Sequence, residues 1–190
     1  MRRKDDAKHD AIVDAAMYLI TTDGFAETSM SKIAKAAKVS PATIYVYFEN
    51  KEDLLNQLYL TVKEDFGVAV FDGLSDEMTL KESFFLIWMN SFRFFLANPT
   101  KFAFHEQFVH SPLISKSSQE QGESFLLPIL DLYERGKSEG SLPNISISVC
   151  AAILYAPLIS LIKSHHQGSF VLTEAVAVST FERCWKAIQE

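Results

Sequence analysis

Glycine and proline are scarce in this chain, seven and six among 190 residues, and cysteine occurs only twice. So few breakers leave room for long uninterrupted helices. No glycine-rich loop of the kind that cradles phosphate is present, and no His or Cys residues recur at metal-ligand spacing. No metal, cofactor or catalytic set is therefore expected, and the chain reads as something other than an enzyme. Cys150 and Cys184 stand apart, so they make no disulfide framework and read as buried reduced thiols. No stretch sustains period-two alternation, which argues against strands. The opening Met-Arg-Arg-Lys-Asp-Asp lacks the apolar core of an export signal, so a cytoplasmic protein is expected.

What is abundant is apolar and aromatic surface. The composition is 48% hydrophobic and 22% charged, with 15 Phe. That describes a well-buried globular protein rather than a disordered one. The net charge of -6 is unevenly spread. Residues 1–51 carry eight Lys/Arg against seven Asp/Glu, net +1, and the remainder carries ten against seventeen, net -7. An anionic partner is therefore better tolerated near the N-terminus. The uncharged run from Asn144 to Ile162 approaches membrane-spanning length. Its three serines and Pro157 favour a buried interface helix over a bilayer span.

Apolar residues recur at three- and four-residue spacing almost throughout, so the expected fold is all-α, with about nine helices. The first runs from about Lys4 to Thr22 and stops at Gly24. Thr28 or Ser29 caps a short helix ending near Lys38, and Ser40 with Pro41 starts another that ends at Phe48. Lys51 opens a long helix to about Asp72. Thr79 caps a helix to Leu96, and Thr100–Ser111 is less defined. Ser118, with Gln121 three residues on, resembles a capping box for a helix reaching Glu139 that Pro128 kinks or divides. Asn144 caps a helix to His166, and Thr173 caps the last, to Ile188.

The stretch TSMSKIAKAAKVSPATIYVYFENKEDLL, Thr28 to Leu55, carries the functional signal. Two short helices joined by a tight turn cannot bury a core alone, but Ile33, Ala34, Ala37, Val39, Ile44 and Phe48 can pack against the first helix. That is a helix-turn-helix, whose second helix enters a major groove of duplex DNA. Candidate DNA contacts are Thr28, Ser29 and Ser40 at helix starts, Ala42, Thr43, Tyr45 and Tyr47 on the second short helix, and Lys51 at the start of the next. Arg2, Arg3 and Lys4 add candidate non-specific phosphate contacts. The segment resembles the N-terminal signature of the TetR/AcrR family of transcriptional regulators. Ile33, Ala34, Ala37, Val39, Ser40, Thr43, Tyr45, Tyr47, Phe48, Lys51, Glu52, Leu54 and Leu55 match that signature. Lys38 stands in place of the family's turn glycine, Ala42 in place of a glycine in the recognition helix, and Ile44 in place of leucine.

The resemblance implies an N-terminal three-helix DNA-binding domain, 1–50, followed by a helical-bundle ligand-binding and dimerisation domain, 51–190. It implies a homodimer on a palindromic operator and a repressor released by a small-molecule effector. An activator, or a redox-responsive regulator acting through Cys150, is the alternative. The helix from Thr79 carries a broad aromatic face, so the effector is expected to be apolar or aromatic. Candidate contacts are Phe85, Trp88, Met89, Phe92, His105, Phe108, Tyr133 and Tyr155. Ala151, Leu154, Leu158, Leu161, Phe181 and Trp185 on the last two helices are the candidate dimer interface.

Overall fold

The computed structural model describes residues 2–189, with side chains from residue 6 onward, so the side chains of Arg2, Arg3 and Lys4 lie outside the described residues. Among these residues the chain forms ten helices and no strand. They are α1 (Arg2–Asp23), α2 (Met30–Ala36), α3 (Pro41–Tyr47), α4 (Lys51–Val70), α5 (Leu80–Ala97), α6 (Pro99–Phe108), α7 (Lys116–Ser124), α8 (Leu127–Ser138), α9 (Ile147–His166) and α10 (Glu174–Ala187).

The tenth helix comes from the poorly patterned stretch after Asn98. Asn98 closes α5, and Pro99 opens α6 at once, where its missing N–H costs nothing. The helix expected from Ser118 to Glu139 is divided near Pro128, which occupies the first turn of α8. Ser118 is not its cap. It lies inside α7, buried, and its own N–H donates to Ser115 Oγ at 3.1 Å, so Ser115 starts the helix. Likewise Ser146, not Asn144, caps α9, accepting from Val149 N. Thr79 caps α5 as expected, in a reciprocal box with Glu82. That pairing holds the Glu82 carboxyl below its ordinary pKa, through the Thr79 hydroxyl first and the Thr79 backbone N–H second.

Two compact units emerge, and both are discontinuous in sequence. Unit 1 comprises the chain up to Lys63 together with Thr100–Gly122, and unit 2 comprises Glu64–Pro99 with the chain from Glu123 onward. Unit 1 is thus larger than the expected 1–50. The core explains why. Ile12, Ala16 and Ile20 of α1, Ile33 and Ala34 of α2, and Ile44 and Phe48 of the α3 segment share one cluster with Leu54, Leu55 and Leu58 of α4 and with Phe104, Phe108 and Ile114 from far along the chain. Polar ties reinforce it: Gln107 Nε2 donates to Thr21 O at 3.2 Å, and Ser115 N donates to Asn56 Oδ1 at 2.8 Å.

Unit 2 is organised on α5, whose aromatic face is buried in two clusters. Phe84, Phe85 and Trp88 pack with Phe181 and Trp185 of α10, while Phe94 and Phe95 pack with Phe66 of α4, which also meets Tyr155 of α9. The Trp88 indole N–H donates to Ala177 O at 3.1 Å, so the ring's polar edge is satisfied inside the core. Helix α8 comes close at Gly136, where a Cβ would lie 2.5 Å from Leu80 Cδ2 and 2.7 Å from Leu142 Cδ1. No larger residue fits there without displacing both leucines.

Candidate nucleic-acid interface

The turn between α2 and α3 sets the direction of the recognition helix. Val39 N donates to Ala34 O at 3.0 Å and Lys38 N to Lys35 O at 3.2 Å, the paired bonds of a Schellman ending with Lys38 as its left-handed residue. Lys38 has φ +57°, the only positive φ at a non-glycine among the described residues. The lysine therefore takes the conformation that its place at the turn glycine demands. A Cβ there costs about 1–2 kcal/mol, partly offset by glycine's greater loss of freedom on folding. Lys38→Gly is expected to stabilise the protein by about 0.5–1 kcal/mol, raising Tm by roughly 2–3 °C. A thermal melt showing a lower Tm would contradict the strain.

Ser40 then caps α3, accepting from Thr43 N at 3.2 Å, and its hydroxyl lies 2.8 Å from that of Thr43. One of these hydroxyls donates to the other, which leaves one O–H available to a phosphate. Only Ile44 within α3 is buried, with Phe48 just beyond its end. The opposite face is open to solvent. Ala42 is exposed, Tyr45 is 58% exposed and Val46 78% exposed, while Thr43 and Tyr47 are half-buried. Tyr45 is thus no core aromatic.

Two neighbours of this face were missed by sequence reasoning. His9 of α1 stacks on Phe48 at 5.7 Å and meets the Tyr47 ring edge-on at 5.6 Å, so it helps fix the tyrosine. Nothing in sequence spacing links residues so far apart. Val46 did carry a signal, an apolar residue between two tyrosines on a helix whose buried side is already supplied by Ile44.

One of the expected DNA contacts is corrected, and another has a structural partner as well. Thr28 is 1% exposed and its hydroxyl donates to Gly24 O at 2.9 Å, so it is committed to the α1–α2 turn. The exposed cap of α2 is Ser29, which accepts from Lys32 N at 3.2 Å. Lys51 is drawn inward: its ammonium donates to Phe25 O at 2.8 Å and sits 4.2 Å from the centre of the Phe25 ring. Its first role is to clasp the α1–α2 turn to the start of α4.

The expected effector contacts fall in both units. His105 and Phe108 belong to the core region of unit 1, and Phe85, Trp88, Met89, Phe92, Tyr133 and Tyr155 to unit 2. Trp88, Met89, Phe92 and Tyr133 are buried, with the Tyr133 hydroxyl donating to Ile145 O, while Phe85 and Tyr155 are half-buried. Trp88 packs its ring against α10 and donates its N–H there. Burial, then the charges of Lys63 and His110, lower the His105 pKa to about 4.

His105 is therefore neutral at pH 7. Its folded pKa lies below the unfolded value, so its contribution to stability is complete above about pH 6.5 and is lost as pH falls toward 4. Allowing for partial exposure, the loss is about 1–3 kcal/mol. Urea midpoints at pH 7 and pH 4.5 should fall further for the natural chain than for His105→Gln. Equal falls would refute the burial argument.

The expected dimer set also divides. Leu154, Leu158, Phe181 and Trp185 are at most 6% exposed within one protomer, so they belong to its own core. Ala151 is exposed and Leu161 half-buried. The outward side of α9 instead carries Val149, Ala152, Ala156 and Ser160. Helix α9 is long and apolar enough to cross a membrane, with mean hydropathy 1.8 over a window of which 22% is buried. Cys150 is 3% exposed, and burial raises its thiol pKa, which lowers the thiolate fraction a redox trigger needs.

A short helix with a buried inner side and an open outer one, held across its partner by a tight left-handed turn, is the working part of a helix-turn-helix DNA-binding protein. Residues 12–58 match the model of bacterial regulatory proteins of the tetR family, and residues 79–189 match the model of the tetracyclin repressor-like C-terminal domain. The chain belongs to the TetR family, and it is a helix-turn-helix transcriptional regulator. It is similar over its whole length to a TetR family transcription regulator from Marinobacter aquaeolei VT8, at 33% identity, TM-score 0.93 and full coverage of both chains. An uncharacterised HTH-type transcriptional regulator of Haemophilus influenzae is 26% identical over 191 residues, 100% of each chain. FadR of Bacillus subtilis, solved in complex with stearoyl-CoA, has a TM-score of 0.76 at 20% identity over 95% of this chain and 99% of that one, a likeness of fold.

Proposed function

We propose that the protein acts as a homodimeric repressor in the cytoplasm, without enzymatic activity. It holds a near-palindromic operator through two copies of α3 and releases it when a small apolar or aromatic molecule binds unit 2. The observation that carries this reading is the outward face of α3, with Ala42, Tyr45 and Val46 exposed while Ile44 is buried. In the complex, Ala42 approaches the base edges, and the hydroxyls of Ser29, Ser40, Thr43, Tyr45 and Tyr47 face phosphates or bases. Lys51, already bound to Phe25 O, keeps a further N–H for a phosphate.

The dimer is supported by the outward side of α9, whose Val149, Ala152 and Ala156 form a small apolar surface for a second copy to cover isologously. The effector is expected in unit 2, against candidates among Phe85, Met89, Phe92, Tyr133 and Tyr155, apolar and aromatic side chains that suit an apolar molecule. An apolar ligand is consistent with the stearoyl-CoA bound by the FadR fold neighbour, although that likeness speaks to the fold alone. A coupling of roughly 1–3 kcal/mol between effector and operator lowers DNA affinity about 5–150-fold.

Selection of bound fragments from bacterial genomic DNA tests the reading. The expected product is one enriched near-palindrome, bound by two protomers, with half-site centres about 34–36 Å apart. Recovery of no shared sequence, or binding by a single protomer, would contradict it.

A further inference from the structure

The recognition helix presents an apolar strip where a hydrogen-bonding surface is usual. At about 100° per residue, Val46 projects about 40° from Ala42, and Tyr45 about 60° to its other side. The three form one exposed patch opposite the buried Ile44. Val46 is 78% exposed, more open than the tyrosine beside it. Its isopropyl group contributes nothing to the core of unit 1, and a β-branched side chain is a poor choice for an exposed helix position. Ala42 adds a methyl group and little bulk, so the helix can approach closely.

Among the base edges displayed in the major groove, the C5 methyl of thymine is the one apolar feature. An isopropyl group pressed against an amino or carbonyl edge would strip that edge of water and return no hydrogen bond. Against a C5 methyl it buries apolar surface on both sides.

We propose that Val46, with Ala42, is the specificity-determining pair of this regulator, and that each half-site carries a thymine whose C5 methyl they cover. The inference rests on the DNA-binding reading above and adds the chemistry by which one base is chosen. It assigns Tyr45 and the flanking hydroxyls to phosphates or polar edges, and base discrimination at this position to shape and apolar contact. Burial of one methyl group corresponds to about fourfold in affinity per half-site, hence about 15-fold across an operator with two.

The experiment replaces each thymine of the selected operator by deoxyuridine, pair by pair in both half-sites, which removes only the methyl. Binding of the full-length protein is read by fluorescence anisotropy at fixed salt. One symmetric pair of replacements is expected to weaken binding by about 15-fold. Val46→Ala should bind the thymine and deoxyuridine operators nearly alike, while its thermal melt matches that of the natural chain. The inference is overturned if no deoxyuridine replacement weakens binding, or if Val46→Ala keeps the full methyl dependence. Failure to select any DNA is a different result: it removes the DNA-binding reading, and this inference with it.

Discussion

A Tyr45→Ala protein should fold and melt like the natural chain, yet bind its operator about a hundredfold more weakly. The reason lies in the position of the side chain. Tyr45 is 58% exposed on α3, so its loss opens no cavity, and substitutions at such sites change stability by about ±0.5 kcal/mol. A hydroxyl donated to a charged acceptor contributes about 1.5 kcal/mol, and two protomers contribute it twice, which converts to a factor of about a hundred. No charge is removed, so the dependence of affinity on salt should keep its slope. Tyr45→Phe separates ring from hydroxyl, and the hydroxyl argument requires most of the loss to appear there. Unchanged affinity in Tyr45→Ala, measured by anisotropy on the selected operator, would remove α3's outward face from the interface.

Phe181→Ala is expected to act on stability instead. Phe181 is fully buried, packed between Phe85, Trp88 and Trp185, with ring centroids 5.1, 5.7 and 5.9 Å away. Truncating a phenylalanine in such a site costs about 3–5 kcal/mol through lost transfer energy and the cavity left behind. For a chain of this size the Tm should fall by roughly 8–16 °C. The deficit should be the same at every protein concentration, because the ring is buried inside one protomer. A deficit that shrinks as concentration rises would instead place Phe181 between subunits, where association and stability are linked by mass action.

Phe181 also shows why part of the site could not be read in advance. An apolar stripe on a helix says that the stripe is covered, but not whether its own protomer or a second copy covers it. Leu154, Leu158, Phe181 and Trp185 satisfy the pattern of an interface, and all four are used up in packing within unit 2. Thr28 failed for a related reason, and Lys51 has a partner that its type and place did not announce. A cap or a lysine is recognisable by type and place, yet the fate of its polar atoms depends on neighbours brought by the fold, here Gly24 O for Thr28 and Phe25 O for Lys51. By contrast, the left-handed turn at Lys38 and the caps at Ser40, Thr79 and Thr173 are local. They follow from backbone geometry over a few residues, and there the sequence reading and the structure agree, whereas the caps expected at Ser118 and Asn144 fall to Ser115 and Ser146.

Local order was therefore determined by the sequence alone: helices throughout, their main breaks, and a helix-turn-helix whose pattern of small and apolar residues admits one crossing. Tertiary structure decided which partner each apolar face received. It drew Phe104 and Phe108 into the core of unit 1, against residues of α1 to α4 that lie far from them in sequence. It also left Val46 uncovered on the side of α3 opposite the buried Ile44. The division has one physical cause. Dihedral preferences and caps act within a turn or two of helix, whereas burial is settled among segments distant in sequence that compete to cover the same surface.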